Sequence, residues 1–247
     1  MTIGTLTLGA GIPKIGVVLS GDSRQNLLGK AAQILTSATQ IVFWRLNPYQ
    51  DLDNRAELIN TATQLQQILG TIPVVATFSL ADSMVDADTY YQTYQTLVNN
   101  RSVAAVDIDM GMVNRPQYQL LVEQIRANHV LLLVSQRQTV MTKEALVATY
   151  RDLAATGADL VQVTSSGTTA QDILTLMAAT AEAVQQVKVP VIAKATGVLE
   201  RYSSACSQLT GSAVVFGQVG RSTGNYGQLP VNQLQQALQI LSTTEGV

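Results

Sequence analysis

The sequence predicts an α/β fold, a single-domain (β/α)8 barrel over residues 1–247 with an N-terminal hairpin flooring it. Three observations carry this. Short β-branched or aliphatic runs recur eight times, with start-to-start distances of roughly 22 to 33 residues, the length of a strand–helix unit with its loops. Amphipathic segments fill the intervals. The runs are largely hydrophobic, which marks strands buried on both faces, and hence a parallel sheet wrapped by helices.

Each element follows in order. Residues Met1–Gly11, with alternating "TLTLG", read as a small extra strand or hairpin. The eight strands are Lys14–Leu19, Ile41–Leu46, Pro73–Phe78, Ala104–Asp109, Val130–Ser135, Asp159–Thr164, Pro190–Ala195 and Ser212–Gly217. Ala56–Leu69 exemplifies the helices, with Leu58, Ile59, Ala62, Leu65, Ile68 and Leu69 at helical spacing. After the sixth strand, Thr168 or Thr169 is placed to cap a helix that carries Ile173, Leu174 and Met177 on one side. No GxGxxG follows the first strand, so a dinucleotide fold has no support. No break in composition divides the chain.

Composition narrows the partners. Hydrophobic residues make up 47% and charged residues 13%, enough for a large core and too few for a charged tail. The formal charge is −2, with no basic stripe, so neither nucleic acid nor a membrane surface is expected. No apolar stretch reaches the roughly 20 residues of a membrane span, and no signal pattern opens the chain. A cytoplasmic protein is expected, with a small anionic or hydroxylated acid as partner and a homodimer as a further possibility. One cysteine, Cys206, excludes an internal disulfide. With His129 it supplies no metal cluster, and no cofactor is expected. His129 precedes a strand and belongs at the opposite, N-terminal face. Cys206 reads as a buried small residue. "TSSGTT" (Thr164–Thr169) could cradle a phosphate on free amides, or be an ordinary loop.

Gln162 is the residue out of place. It sits inside the apolar strand "DLVQVT", where an unpaired amide costs roughly 1–3 kcal/mol, so it must be hydrogen-bonded or line a cavity. Side chains alternate between barrel interior and helix layer. With Gln162 inward, the interior also receives Phe43, Arg45 and Asn47, Asp107 and Asp109, Leu160 and Thr164, and Ile192, Lys194 and Thr196. Their charged members lie towards the C-terminal strand ends, where barrel sites are built. Arg45, Asp107, Asp109, Arg137 and Lys194 would converge on one cavity. They could form a binding site, or an ion-pair network that closes the mouth through Arg45–Asp109 and Lys194–Asp107 contacts. Two aspartates on inward positions favour a protonated, salt-bridged Lys194. A lowered pKa would instead make it an imine-forming nucleophile, an aldolase- or dehydratase-type catalytic residue.

With the strands placed, the chain resembles the type I 3-dehydroquinate dehydratases, (β/α)8 lyases of the shikimate pathway in aromatic amino acid biosynthesis. The likeness rests on "GAGIPKIGVVLSG" (Gly9–Gly21), "FWRLN" (Phe43–Asn47), "GADLVQVTSSGTTAQDILTL", and "GSAVVFG" followed by "GQLP" (Gly227–Pro230), in the family's order and spacing. The resemblance implies chemistry through an imine lysine and a histidine that moves the substrate proton. The lysine falls on Gln162 and the histidine near Arg137. The glutamate of the family's Glu-Trp-Arg motif falls on Phe43, and an arginine and a glutamate after the third strand fall on Ser79 and Ser83. The carboxylate-binding arginine falls on Ser204, and two methionines fall on Lys194 and Thr196. Arg45 and the loop glutamine, Gln228, survive. Nucleophile, base and carboxylate clamp are all replaced, so the dehydratase mechanism is not expected in its usual form. A degenerate member, or pseudoenzyme, is expected.

Overall fold

A computed structural model describes residues 1–80, 85–139, 142–220 and 227–242. The chain opens with a two-stranded antiparallel hairpin, β1 (Thr2–Ile3) and β2 (Leu6–Thr7). Gly4 takes φ +55° in its turn, a conformation that favours glycine. Strand and helix then alternate: β3 (Lys14–Ser20), α1 (Arg24–Ile34), β4 (Ile41–Arg45), α2 (Arg55–Leu69), β5 (Val74–Thr77) and α3 (Ala87–Asn99). Next come β6 (Ala105–Asp109), a 3-10 turn at Met110–Met112, α4 (Gln117–Ala127), β7 (Leu131–Gln138), α5 (Lys143–Ala155), β8 (Leu160–Ser165) and α6 (Ala170–Gln186). The last elements are β9 (Val191–Ala195), the short helices α7 (Glu200–Ala205) and α8 (Ser207–Thr210), β10 (Val214–Gly217) and α9 (Val231–Leu241).

The eight long strands form one parallel sheet in the order β10-β3-β4-β5-β6-β7-β8-β9. Near closure comes where β10 meets β9: the Ala213 N–H donates to the Val191 carbonyl at 2.7 Å, and the Ala193 N–H to Ser212 Oγ at 3.1 Å. This is the predicted barrel. Its apolar residues divide into two cores, as two-sided burial requires. The larger lies between strands and helices; the smaller fills the barrel with Ile41, Phe43, Val75, Leu133, Leu160, Ile192, Val214 and Phe216. Ile3 and Leu8 of the hairpin region join the inner core from below. Gly16 leaves room there: a β-carbon would press on Val214 at 3.1 Å and on the Phe43 ring at 3.2 Å.

Three local expectations are corrected. β7 runs on to Gln138, which puts Arg137 within a strand. On α6, Leu174 is exposed; the packed face is Ile173, Leu176, Ala179, Thr180 and Ala183, because the helix meets the sheet along the i, i+3, i+7 stripe. Cys206 is only half-buried, since it lies at the break between α7 and α8 where the chain leaves helical geometry (φ −94°, ψ 15°). Among the described residues, no helix is long and apolar enough to cross a membrane.

Candidate functional site

The C-terminal strand ends enclose an open polar cavity of about 120 Å³. That is small beside the several hundred cubic ångströms of a typical ligand pocket. The rings of Phe43 and Phe216, 4.9 Å apart, contribute to its lining. Arg45, Asp107, Asp109, Arg137, Gln162 and Lys194 all line it, joined by Thr77 and Ser135. Strand register explains the convergence: Arg45 pairs with Thr77, Thr77 with Asp107, Ser135 with Gln162, and Thr164 with Lys194.

Gln162 is buried, and its Nε2 donates to Thr164 Oγ1 at 3.3 Å. Its Oε1 has no hydrogen-bond partner among the described residues. Asp107 is buried to 3% exposure, and its Oδ2 accepts from Thr77 Oγ1 at 2.8 Å. The other carboxylate oxygen also lacks a partner among the described residues. Loss of water pushes the Asp107 carboxyl up to about 6, against the opposing pull of Ser135, Thr77 and Lys194. Burial likewise raises Asp109, whose Oδ1 accepts from the Gly111 N–H at 2.8 Å; Arg137 works in the other direction.

Helix α3 braces the strands that carry these acids. The Tyr94 hydroxyl donates to the Asp107 carbonyl and accepts the Phe78 N–H, and the Tyr90 hydroxyl accepts the Asp109 N–H at 3.1 Å. Tyr90 and Tyr94 pack edge-on, 4.9 Å apart. Sequence reasoning passed over this pair, although "YYQTY" sets two tyrosines one helical turn apart.

Lys194 Nζ lies over the Phe216 ring, 4.3 Å from its centroid. Burial holds its pKa below the ordinary lysine value; Glu200 raises it, Arg45 and Arg137 lower it, and Asp107 raises it least. The expected salt bridges do not form. Among the described residues the ion pairs are Arg24–Glu57, Arg126–Asp159 and Lys143–Glu182, none at the mouth. The reason is topological: β6 and β9 are separated by β7 and β8, so Asp107 is not the immediate neighbour of Lys194. The acid with the strongest hold on Lys194 is Glu200, which the sequence reading missed. Nothing in "TGVLER" marks it, since a glutamate opening a short helix is ordinary.

Gln228 is buried but is not among the side chains lining the cavity; its Nε2 donates to Glu200 Oε1 at 3.0 Å. Arg137 is exposed at the rim, 3.4 Å from Ser166 Oγ. Ser204 is buried on α7. Ser83 lies outside the described residues, as do 221–226 of the loop before Gln228. His129 is exposed, next to the start of β7 and far from the mouth. Two amides of "TSSGTT" are taken up within the loop: those of Thr168 and Thr169 both donate to Asp172 Oδ2. Among the described residues, no three of His, Cys, Asp and Glu converge as metal ligands do.

Fold and site together define a (β/α)8 barrel with its polar groups gathered at the C-terminal mouth. The family model described as type I 3-dehydroquinase matches residues 15–245, and the chain belongs to that family. It is 27% identical over 250 residues to a 3-dehydroquinate dehydratase of Listeria monocytogenes, covering 98% of this chain and 97% of the relative. It is 25% identical over 244 residues to the Clostridium kluyveri protein of that name, covering 95% and 94%. The crystal structure of 3-dehydroquinate dehydratase from Geobacillus kaustophilus superposes with a TM-score of 0.91 at 24% identity, covering 100% of this chain and 97% of the other. The Clostridium difficile type I enzyme, solved with covalently modified comenic acid, gives 0.91 at 23%, covering 98% and 97%. These two structures bear on the fold.

Proposed function

We propose that this chain is a type I dehydroquinase-family barrel that has lost dehydratase catalysis and binds a small hydroxylated acid at its mouth. One observation carries the reading. Asp107, Asp109 and Lys194 line a single open cavity and make no ion pair among the described residues. A plug of charges needs mutual pairing to offset desolvation, so groups left facing the cavity favour a polar ligand. The unpartnered oxygens of Gln162 and Asp107 are acceptors suited to hydroxyl donors, and Arg137 at the rim suits an acid's carboxylate.

Loss of catalysis rests on the replaced groups. Gln162 has no amine to form an imine. Arg137 is cationic at any relevant pH and takes no proton. Ser204 carries no charge for a substrate carboxylate. The names of the relatives supply the test substrate. Purified protein is given 3-dehydroquinate while the absorbance of the conjugated enone product is followed. No turnover is expected; about 1–100 per second, ordinary for an enzyme, would overturn the loss. Calorimetry with the same acid is expected to show binding that weakens in Arg137→Ala.

A further inference from the structure

Helix α3 reaches the mouth from behind. Its Tyr90 and Tyr94 are fully buried, and their hydroxyls end on the backbone of Phe78, Asp107 and Asp109, three residues that line the cavity. The pairing of β5 with β6 ends at Thr77 and Asp107. Thr77 gives its carbonyl to the Leu46 N–H on the β4 side, so the Phe78 N–H that follows turns towards β6. There its regular partner is the Asp107 carbonyl. The Tyr94 hydroxyl stands between the two, accepting from the Phe78 N–H at 3.0 Å and donating to the Asp107 carbonyl. Further along the same edge of β6, the Asp109 N–H donates to the Tyr90 hydroxyl at 3.1 Å. The Phe78 ring packs on both tyrosines, with centroids 5.1 and 5.4 Å away, which fixes them against the sheet. On the cavity side of this strand pair, Thr77 Oγ1 donates to Asp107 Oδ2 at 2.8 Å. The separation of the two strand ends therefore sets that bond.

We propose that Tyr94 and Tyr90 are the positioning residues of the mouth acids: Tyr94 is a hydroxyl spacer that holds the end of β5 off β6 and so aims Asp107, and Tyr90 fixes the backbone of Asp109. Without the spacer, two buried backbone groups lose their partner, and the short way to satisfy them is a bond to each other. That bond draws the end of β5 onto β6. Thr77 Oγ1 then moves out of line with Asp107 Oδ2, and the cavity narrows on the side where both acids face it. Tyr90 acts where β5 has already ended, giving the Asp109 N–H the acceptor that a neighbouring strand would otherwise supply. The aim of the acids thus depends on a helix outside the barrel, through hydroxyls that never enter the cavity. In the ligand affinity it expects, the inference rests on the acid-site reading; its first readout needs no ligand.

Tyr94→Phe keeps the ring and removes the hydroxyl alone. Carbon-13 NMR titration of the Asp107 carboxyl is the readout. Its midpoint is expected to rise by about half a pH unit or more in the variant, because a weaker hydrogen bond from Thr77 favours the neutral form. The charged groups that act on it, Asp109 and Lys194, are the same in both proteins. Tyr49→Phe is the control: it removes a hydroxyl bonded to Thr61 of α2 at 2.8 Å, and is expected to cost stability without moving Asp107. A midpoint that stays or falls in Tyr94→Phe, or rises as far in Tyr49→Phe, would overturn the spacer. In the unsubstituted protein a slowly exchanging Tyr94 hydroxyl proton close to the Phe78 amide is expected in proton NMR. A hydroxyl exchanging as fast as a free phenol would overturn the spacer even if the variant failed to fold. Calorimetry with 3-dehydroquinate is expected to show affinity at least about threefold weaker in Tyr94→Phe, since displaced acceptors lose hydrogen-bond alignment; equal affinity would overturn its role in the site. If the acid does not bind the unsubstituted protein while the Asp107 midpoint moves as expected, the acid-site reading falls and the spacer stands. If the acid binds both proteins alike and the midpoint is unmoved, the spacer falls and the acid site stands.

Discussion

Asp107 shows how much one residue can reveal. Its carboxyl is raised from the ordinary 3.8 to about 6, chiefly by burial. Between about pH 4 and 6 the folded protein keeps a proton that the unfolded chain has released. Stability from this group is therefore intact below about pH 4 and falls as pH rises through 6, by at most about 3 kcal/mol. Asp107→Asn removes the penalty. It is expected to stabilise the protein by about 1–3 kcal/mol at pH 8 and to leave stability unchanged near pH 4. Urea titrations at the two pH values check this, and equal midpoint shifts at both would contradict it. Gln162 carries the second prediction at this scale. Gln162→Lys alone is expected to leave dehydratase activity undetectable, because groups that act as a unit recover little one at a time. Adding Arg137→His and Ser204→Arg is the smallest set expected to give measurable product. Strong activity from the single change would show that Arg137 and Ser204 are not the obstacles.

At the level of elements, the loops over the mouth are positioned by local chemistry. Helix α6 begins with a capping box: Thr169 Oγ1 accepts the Asp172 N–H, and the Asp172 carboxylate accepts the Thr169 N–H. Thr169→Ala is expected to cost about 1 kcal/mol in a denaturant titration. A change well under a few tenths would mean that Asp172 holds the turn alone. The loop after β9 meets the segment before α9 at Gly227, where a β-carbon would collide with the Gly197 carbonyl oxygen. Gly227→Ala must therefore push the segment away and release the Gln228–Glu200 hydrogen bond. The expected result is faster amide exchange around residues 227–230, with barrel strand protection unchanged.

For the molecule as a whole, the two ends of the barrel do different work. The hairpin region closes the bottom with Ile3 and Leu8, and the charged groups collect at the top. Leu8→Ala is expected to cost about 2–5 kcal/mol of stability yet leave acid affinity at the mouth unchanged, as calorimetry on the folded variant would show. The sequence by itself determined the barrel and its inward face. Strands buried on both sides are visible as largely hydrophobic runs, and the period of two sends Arg45, Asp107, Gln162 and Lys194 to the same interior. It also exposed Gln162, because an amide in such a run contradicts its surroundings. Tertiary structure alone decided which of these groups meet. Strand order sets Asp107 two strands away from Lys194's neighbour, and the fold of α7 against the segment before α9 joins Gln228 to Glu200. Those contacts depend on separations through space, and they join residues whose local sequence carries no trace of the partner.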